Sequence, residues 1–125
     1  MDDGGLKKIR LNLARTKEHP NGSARHGYEF VAPLDAAGHI DAGAWKLHRD
    51  RCRVRRFWGG ATEELGHLVH RPGGSWAFRY DISGDDDPEA GYRFGTHAFT
   101  VGEYVSIRDE DGEMNTFQVA TVDDV

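Results

Sequence analysis

The sequence predicts an all-β domain, mainly antiparallel, in which seven or eight strands and at most one short helix form a sandwich or a small barrel. Short runs of alternating apolar and polar residues recur along the chain, and Gly, Pro, Asn or Asp separates them at intervals of about ten residues. No strand–helix–strand unit recurs, so a parallel sheet is not expected. A length of 125 residues suits one domain, spanning residues 1–125.

The clearest element is a β-hairpin over residues 99–122, FTVGEYVSIRDEDGEMNTFQVATV. An Asp-Gly pair ending at Gly112 provides the turn. A three-residue loop would give Gly112 a left-handed conformation and would place Val105 opposite Phe117. A two-residue loop would instead pair Val105 with Gln118, so we favour the first register, which places apolar against apolar.

The first half of the chain predicts three further strands and the single helix. Residues 6–13 alternate apolar and polar side chains, residues 28–32 are rich in aromatic and β-branched types, and residues 51–58 end at two glycines. The polar residues 14–27 predict a long loop. Asp41 can cap a short helix before the third strand.

The second half predicts a second hairpin and one more strand. Its arms are residues 66–71 and 75–81, and the additional strand is residues 91–99. The acidic residues of 83–91 alternate as the first ligands of a calcium loop do. They lack the following Gly and Glu that an EF-hand requires, so this segment is expected to be a solvated loop.

Composition predicts a cytoplasmic protein that does not enter a membrane. No apolar run approaches the roughly 20 residues that span a bilayer, and the N-terminal residues contain no signal-peptide core. Residues 1–62 carry 12 basic and 7 acidic groups, whereas residues 63–125 carry 4 and 14. The net charge of −5 and the pI near 5.7 make nucleic acid an unlikely partner.

An arginine row is the first candidate site: Arg49, Arg51, Arg53 and Arg55 recur at every second position. On one strand these side chains would share a face, about 7 Å apart. Two kinds of negatively charged partner could neutralise this row. Carboxylates of the protein itself would contribute about 0–1 kcal/mol per exposed pair, and this alternative is favoured. Phosphate or carboxylate ligands would bind weakly through the guanidinium fork. Arg56 falls on the inward side, which predicts that the strand bulges or bends there before Trp58.

Histidine and cysteine are the second candidates. The chain has seven histidines and one cysteine, but no HExxH, CxxC or His-x-His spacing. A metal site could draw its ligands only from residues distant in sequence, the candidates being His39, His48, Cys52 and His97. Cys52 beside Val54 suits an inert buried thiol better than a nucleophile. We therefore predict no bound metal and no cofactor.

The phrases HRDRCRVRRFW, GYRFG and FTVGEYVSIRDEDG resemble a small family of conserved bacterial proteins with no assigned function. The resemblance implies a self-standing bacterial domain and carries no activity. Because no nucleophile, base and orienting group stand together in the sequence, we expect a small soluble binding or interaction module. The alternative is a small enzyme with a His-based site, with or without metal, in the mouth of a barrel.

Overall fold

The computed structural model describes residues 5–59, 62–71, 75–80, 92–94, 98–108 and 113–125. Within these ranges it contains eight strands, one α-helix and one short 3₁₀ helix. The strands are β1 Leu6–Leu13, β2 Ser23–Pro33, β3 Arg53–Trp58, β4 Thr62–His70, β5 Trp76–Tyr80, β6 Tyr92–Phe94, β7 Tyr104–Arg108 and β8 Met114–Asp124. Helix α1 is Ala42–His48, and the 3₁₀ helix is Arg49–Arg51.

The strands form one antiparallel sheet that closes into a barrel. Each described strand pairs with its neighbours in sequence, and β1 pairs with β8. The junction between β6 and β7 is the sparsest, with the single described pair Arg93 and Arg108. The prediction of an all-β fold with one short helix is confirmed, and of the two predicted architectures the chain adopts the barrel.

Several local predictions hold in detail. Strand β1 has the predicted bounds, because Ile9 and Leu11 face the core while the polar residues between them face outward. Asp41 caps α1 by accepting a hydrogen bond from the Ala44 amide at 3.1 Å. Val105 lies opposite Phe117, as predicted. The turn of that hairpin, with Gly112, lies outside the described residues, as do the whole of the acidic segment 83–91 and His97.

Other boundaries differ from prediction. Strand β2 begins at Ser23, so the predicted loop over residues 14–27 shortens to 14–22. The polar start of β2 has no apolar alternation. Ser23 pairs with Leu13 of β1 and His26 pairs with Trp58 of β3, and a register shift leaves residues 24–26 without a partner on β1. Strand β3 begins at Arg53 rather than at residue 51, because the 3₁₀ helix extends the turn after α1. Of the predicted strand 91–99, the described residues 92–94 form β6, and residues 98–99 are not in a strand.

Aromatic side chains fill the barrel. The ring of Tyr28 lies 5.0 Å from that of Phe78 and 5.1 Å from that of Phe117, between ring centroids. Trp45 of α1 covers one end, donating its indole N–H to the Leu68 carbonyl at 3.0 Å. The described interior is therefore a packed core that ties α1 to the sheet. No helix in the described ranges is long and apolar enough to cross a membrane.

A candidate anion-binding groove on the outer face of the barrel

The structure divides the predicted arginine row. Arg53 and Arg55 lie on β3 and point away from the core, as predicted. Arg49 and Arg51 lie in the 3₁₀ helix before the strand, so the prediction that all four share one strand face is wrong. The period-two spacing continues through this helix by coincidence, because arginine is compatible with both conformations.

The predicted bulge at Arg56 is also wrong. Strand β3 pairs with β2 and with β4 without a register shift. Arg56 accordingly faces inward near one end of the barrel, where its Nη1 lies 3.3 Å from Glu64 Oε1. Its Cζ also lies 4.4 Å from the centroid of the Trp58 ring. A carboxylate and an aromatic face thus accommodate the charge, so the strand does not need to bend.

Strand register gathers further charges around Arg55. Arg10 on β1 is the partner of Glu29 on β2, and Glu29 is the partner of Arg55 on β3. Side chains at paired positions project from the same face of a sheet, so these three form a row across the strands. The outward positions of β1 and β3 add Lys8 and Arg53. Four cations, Lys8, Arg10, Arg53 and Arg55, therefore lie with Glu29 on the described part of this face.

Glu29 contacts three of these cations. Its carboxylate oxygens lie 3.5 Å from Lys8 Nζ, 3.6 Å from Arg55 Nη2 and 3.9 Å from Arg10 Nη1. The side chain of Glu29 is 24% exposed and that of Arg55 is 38% exposed. At such exposure each pair contributes about 0–1 kcal/mol. Arg53 instead donates from Nη1 to Nε2 of His67 at 2.8 Å, which requires His67 to be neutral with its proton on Nδ1.

An outward-facing aromatic ring supports two of the guanidinium groups. Phe57 lies on the outer face of β3, yet only 9% of its surface is exposed. The Cζ atoms of Arg10 and Arg55 lie 4.5 and 5.3 Å from its ring centroid. Phe57 is paired with Gly27, where a Cβ atom would lie 1.9 Å from the Leu11 carbonyl oxygen. The close approach of β1 thus requires glycine at position 27 of β2, and the Phe57 ring lies opposite it on β3.

These side chains border a cavity of about 230 Å³ that we call the basic groove, lined by Lys8, Glu29, Phe30, Val31, Arg53, Val54, Arg55 and Leu65. Its outward apolar residues are Val31 and Leu65, and Leu65 is 50% exposed. The basic groove therefore combines an apolar surface with three cations and one carboxylate. It has the chemistry to receive an anionic group attached to a short apolar portion.

The three histidine and cysteine candidates that the structure describes are not placed together around one metal position. His39 lies in the turn before α1, His48 ends α1, and Cys52 is completely buried. Burial, with a smaller contribution from Asp50, raises the pKa of the Cys52 thiol to about 11. Within the described ranges no three His, Cys, Asp or Glu side chains are placed to hold a metal ion.

A separate histidine cluster lies at the barrel end opposite α1. Ser23 Oγ lies 2.7 Å from His26 Nδ1, and the His26 ring contacts Trp58 edge to face at 4.7 Å. Ser23 Oγ also accepts the Arg25 amide at 3.2 Å, a local hydrogen-bonded turn that accounts for the Ser–His contact. The His19 ring packs 4.7 Å from that of His26.

The sequence pattern indicates Arg53 and Arg55 as site residues but does not indicate Lys8, Arg10 or Glu29. The alternation of β1 indicates that Lys8 and Arg10 face outward. Which strand lies beside β1 depends on pairing between distant segments, which periodicity does not show. No protein-family model, curated protein or solved structure matches this chain.

Proposed function

We propose that the protein is a small binding module whose basic groove takes an anionic ligand, a phosphate or carboxylate joined to a short apolar group. The observation that carries the proposal is the convergence of Lys8, Arg53 and Arg55 on a cavity that also exposes Leu65. The cations supply the attraction, and the apolar surface supplies preference for a substituted over an inorganic anion.

The ion pairs within the basic groove support weak and reversible binding. Glu29 lies 3.5 to 3.9 Å from three cations in a partly exposed setting, so an incoming anion competes with pairs of small energy. The cations are also exposed enough for dissolved salt to screen them. Affinity should therefore fall as ionic strength rises.

The test is calorimetric titration of the protein with butyl phosphate and with inorganic phosphate at low ionic strength. Butyl phosphate should bind the more tightly, because its chain covers Leu65. Its affinity should decline as sodium chloride rises from about 0.05 to 0.5 M, a range over which the screening length shortens severalfold. Equal affinities for the two anions would contradict the apolar part of the proposal.

The divided arginine row supplies a matched control. The double variant Arg53→Gln/Arg55→Gln removes two charges from the basic groove, and Arg49→Gln/Arg51→Gln removes two from the neighbouring 3₁₀ helix. The two variants have the same net charge. Binding should be lost in the first and retained in the second. Equal losses would mean that only overall charge attracts the ligand, and the proposed site would be wrong.

A further inference from the structure

A second and larger cavity, which we call the polar groove, lies elsewhere on the outer surface. It measures about 730 Å³ and is bordered by residues from the end of β1, the loop 14–22, β7 and β8. It shares no residue with the basic groove. Its volume falls in the range of 300–1,000 Å³ typical of small-molecule sites.

The polar groove is built by the loop lying against the sheet. On the sheet side, Tyr104 of β7 is paired with Gln118 of β8 and projects outward. The loop starts at the Ala14 amide, which donates to the Thr116 carbonyl at 2.9 Å. It closes where the Gly22 amide donates to the His19 carbonyl, also at 2.9 Å. Arg15 and Asn21 of the loop line the same cavity as Tyr104 of the sheet.

The polar side chains that line this groove are exposed, and most of them make no hydrogen bond to another described residue. Tyr104 is 60% exposed, a large aromatic surface left in water. Within the described ranges, the side chains of Arg15, Asn21, Tyr104 and Thr116 make no hydrogen bond or ion pair. Gln118 donates to the Gly102 carbonyl at 3.3 Å. The groove thus offers one aromatic face together with amide, hydroxyl and guanidinium groups.

Among the described residues that line the polar groove, Arg15 is the one charged residue and none is a carboxylate. A single guanidinium is weak attraction for a phosphate compared with the cations of the basic groove. It is well suited to two adjacent hydroxyl groups, which accept its parallel N–H donors. A sugar ring presents such hydroxyls at its edge and apolar C–H groups on its face, and the C–H face can lie on an exposed Tyr ring.

From these features we propose that the polar groove binds a neutral oligosaccharide. Tyr104 stacks on one sugar ring, and Arg15, Asn21 and Thr116 hydrogen-bond its hydroxyls. Binding here is independent of the basic groove and needs no net charge on the ligand. In contrast to anion binding, it should therefore be insensitive to ionic strength.

The test is a titration of the ¹⁵N-labelled protein with maltotetraose, cellotetraose and chitotetraose, followed by amide NMR. Each sugar is taken to about 10 mM, sufficient to detect a Kd near 1 mM. At least one should give saturable shifts at Arg15, Asn21, Tyr104 and Thr116. Tyr104→Ala should weaken that sugar about tenfold, whereas Tyr104→Phe, which keeps the ring, should retain most of the affinity.

Three results would overturn the proposal: no shifts with any of the three sugars, shifts that map outside the polar groove, or wild-type affinity in Tyr104→Ala. Because Tyr104 is exposed, the alanine variant is expected to fold, and its amide spectrum reports this directly. Asn21→Ala gives a second variant on the loop side and should also weaken binding. Arg53→Gln/Arg55→Gln should leave sugar binding unchanged, which separates this site from the basic groove.

Discussion

Glu29 on β2 lies beside Arg55 on β3, with 3.6 Å between the carboxylate Oε1 and the guanidinium Nη2. The same carboxylate is approached by Lys8 and Arg10 from the other neighbouring strand. The carboxylate of Glu29 thus forms ion pairs with three cations, and each pair is weak because it is partly exposed to solvent. In the proposed function, Glu29 competes with the ligand for these cations.

Replacing Glu29 with Gln should therefore have opposite effects on stability and binding. The free energy of unfolding should fall by about 1 kcal/mol, because the neighbouring cations then repel one another without compensation. Affinity for butyl phosphate should rise severalfold, since the ligand no longer competes with a carboxylate. Urea unfolding and calorimetric titration measure the two effects. A loss of affinity would mean that Glu29 positions the cations rather than competing for them.

Two glycine-to-alanine substitutions should change the stability of the protein in opposite directions. At Gly27 the new Cβ would lie 1.9 Å from a backbone oxygen of β1, so the strands must separate and the domain should lose at least about 2 kcal/mol of stability. At Gly43, inside α1, the nearest atom is Asp41 Oδ1 at 3.4 Å. There alanine should stabilise by up to about 1 kcal/mol through helix propensity. Urea unfolding of both variants checks the pair. Equal stability for Gly27→Ala and the wild type would contradict the β1–β2 pairing.

Particular residues show how far the sequence predicts this fold. Ile9 and Leu11 revealed the inward face of β1, and Asp41 the start of α1, because both signals are local. The opposition of Val105 and Phe117 followed from matching apolar positions across one short turn. By contrast, Arg49 and Arg51 kept a strand-like spacing inside a 3₁₀ helix, and the partnership of Arg10 with Glu29 depends on pairing across a long loop. Local periodicity carries no information on either.

Cys52 should be unreactive in the folded protein. Its thiol is buried, and its pKa of about 11 leaves almost no thiolate at pH 8. A disulfide reagent should label it only after unfolding in urea. The unfolded thiol ionises near pH 9, so stability should also decline as the pH rises from 9 towards 11. Rapid labelling under native conditions at pH 8 would show that Cys52 is accessible and would revive it as a candidate nucleophile.

His26 should make stability depend on pH below neutrality. Burial, together with the nearby charges of His19, Arg25 and Arg56, lowers the pKa of His26 below its usual 6.5. The unfolded chain therefore takes up this proton at a higher pH than the folded one. The stability due to neutral His26 is complete above pH 6.5 and is lost as the pH falls towards the lowered value.

The measurement is the melting temperature at pH 7.5 and pH 5 for the wild type and for His26→Asn, which keeps a hydrogen-bonding group near Ser23. The melting temperature of the wild type should fall more on acidification than that of the variant. The carboxylates contribute equally to both proteins, so the difference reports His26. An identical fall in melting temperature in the two proteins would show that His26 does not contribute to the pH dependence of stability.

The location of the bound anion is the most direct test of the basic groove. In an amide NMR titration with butyl phosphate at low ionic strength, we expect saturable shifts at Lys8, Val31, Arg53, Arg55 and Leu65. Arg49 and Arg51 are equally basic and close in sequence, but their resonances should not shift. Shifts centred on Arg49 and Arg51, or spread evenly over the basic residues of the chain, would contradict a specific anion site on this face of the barrel.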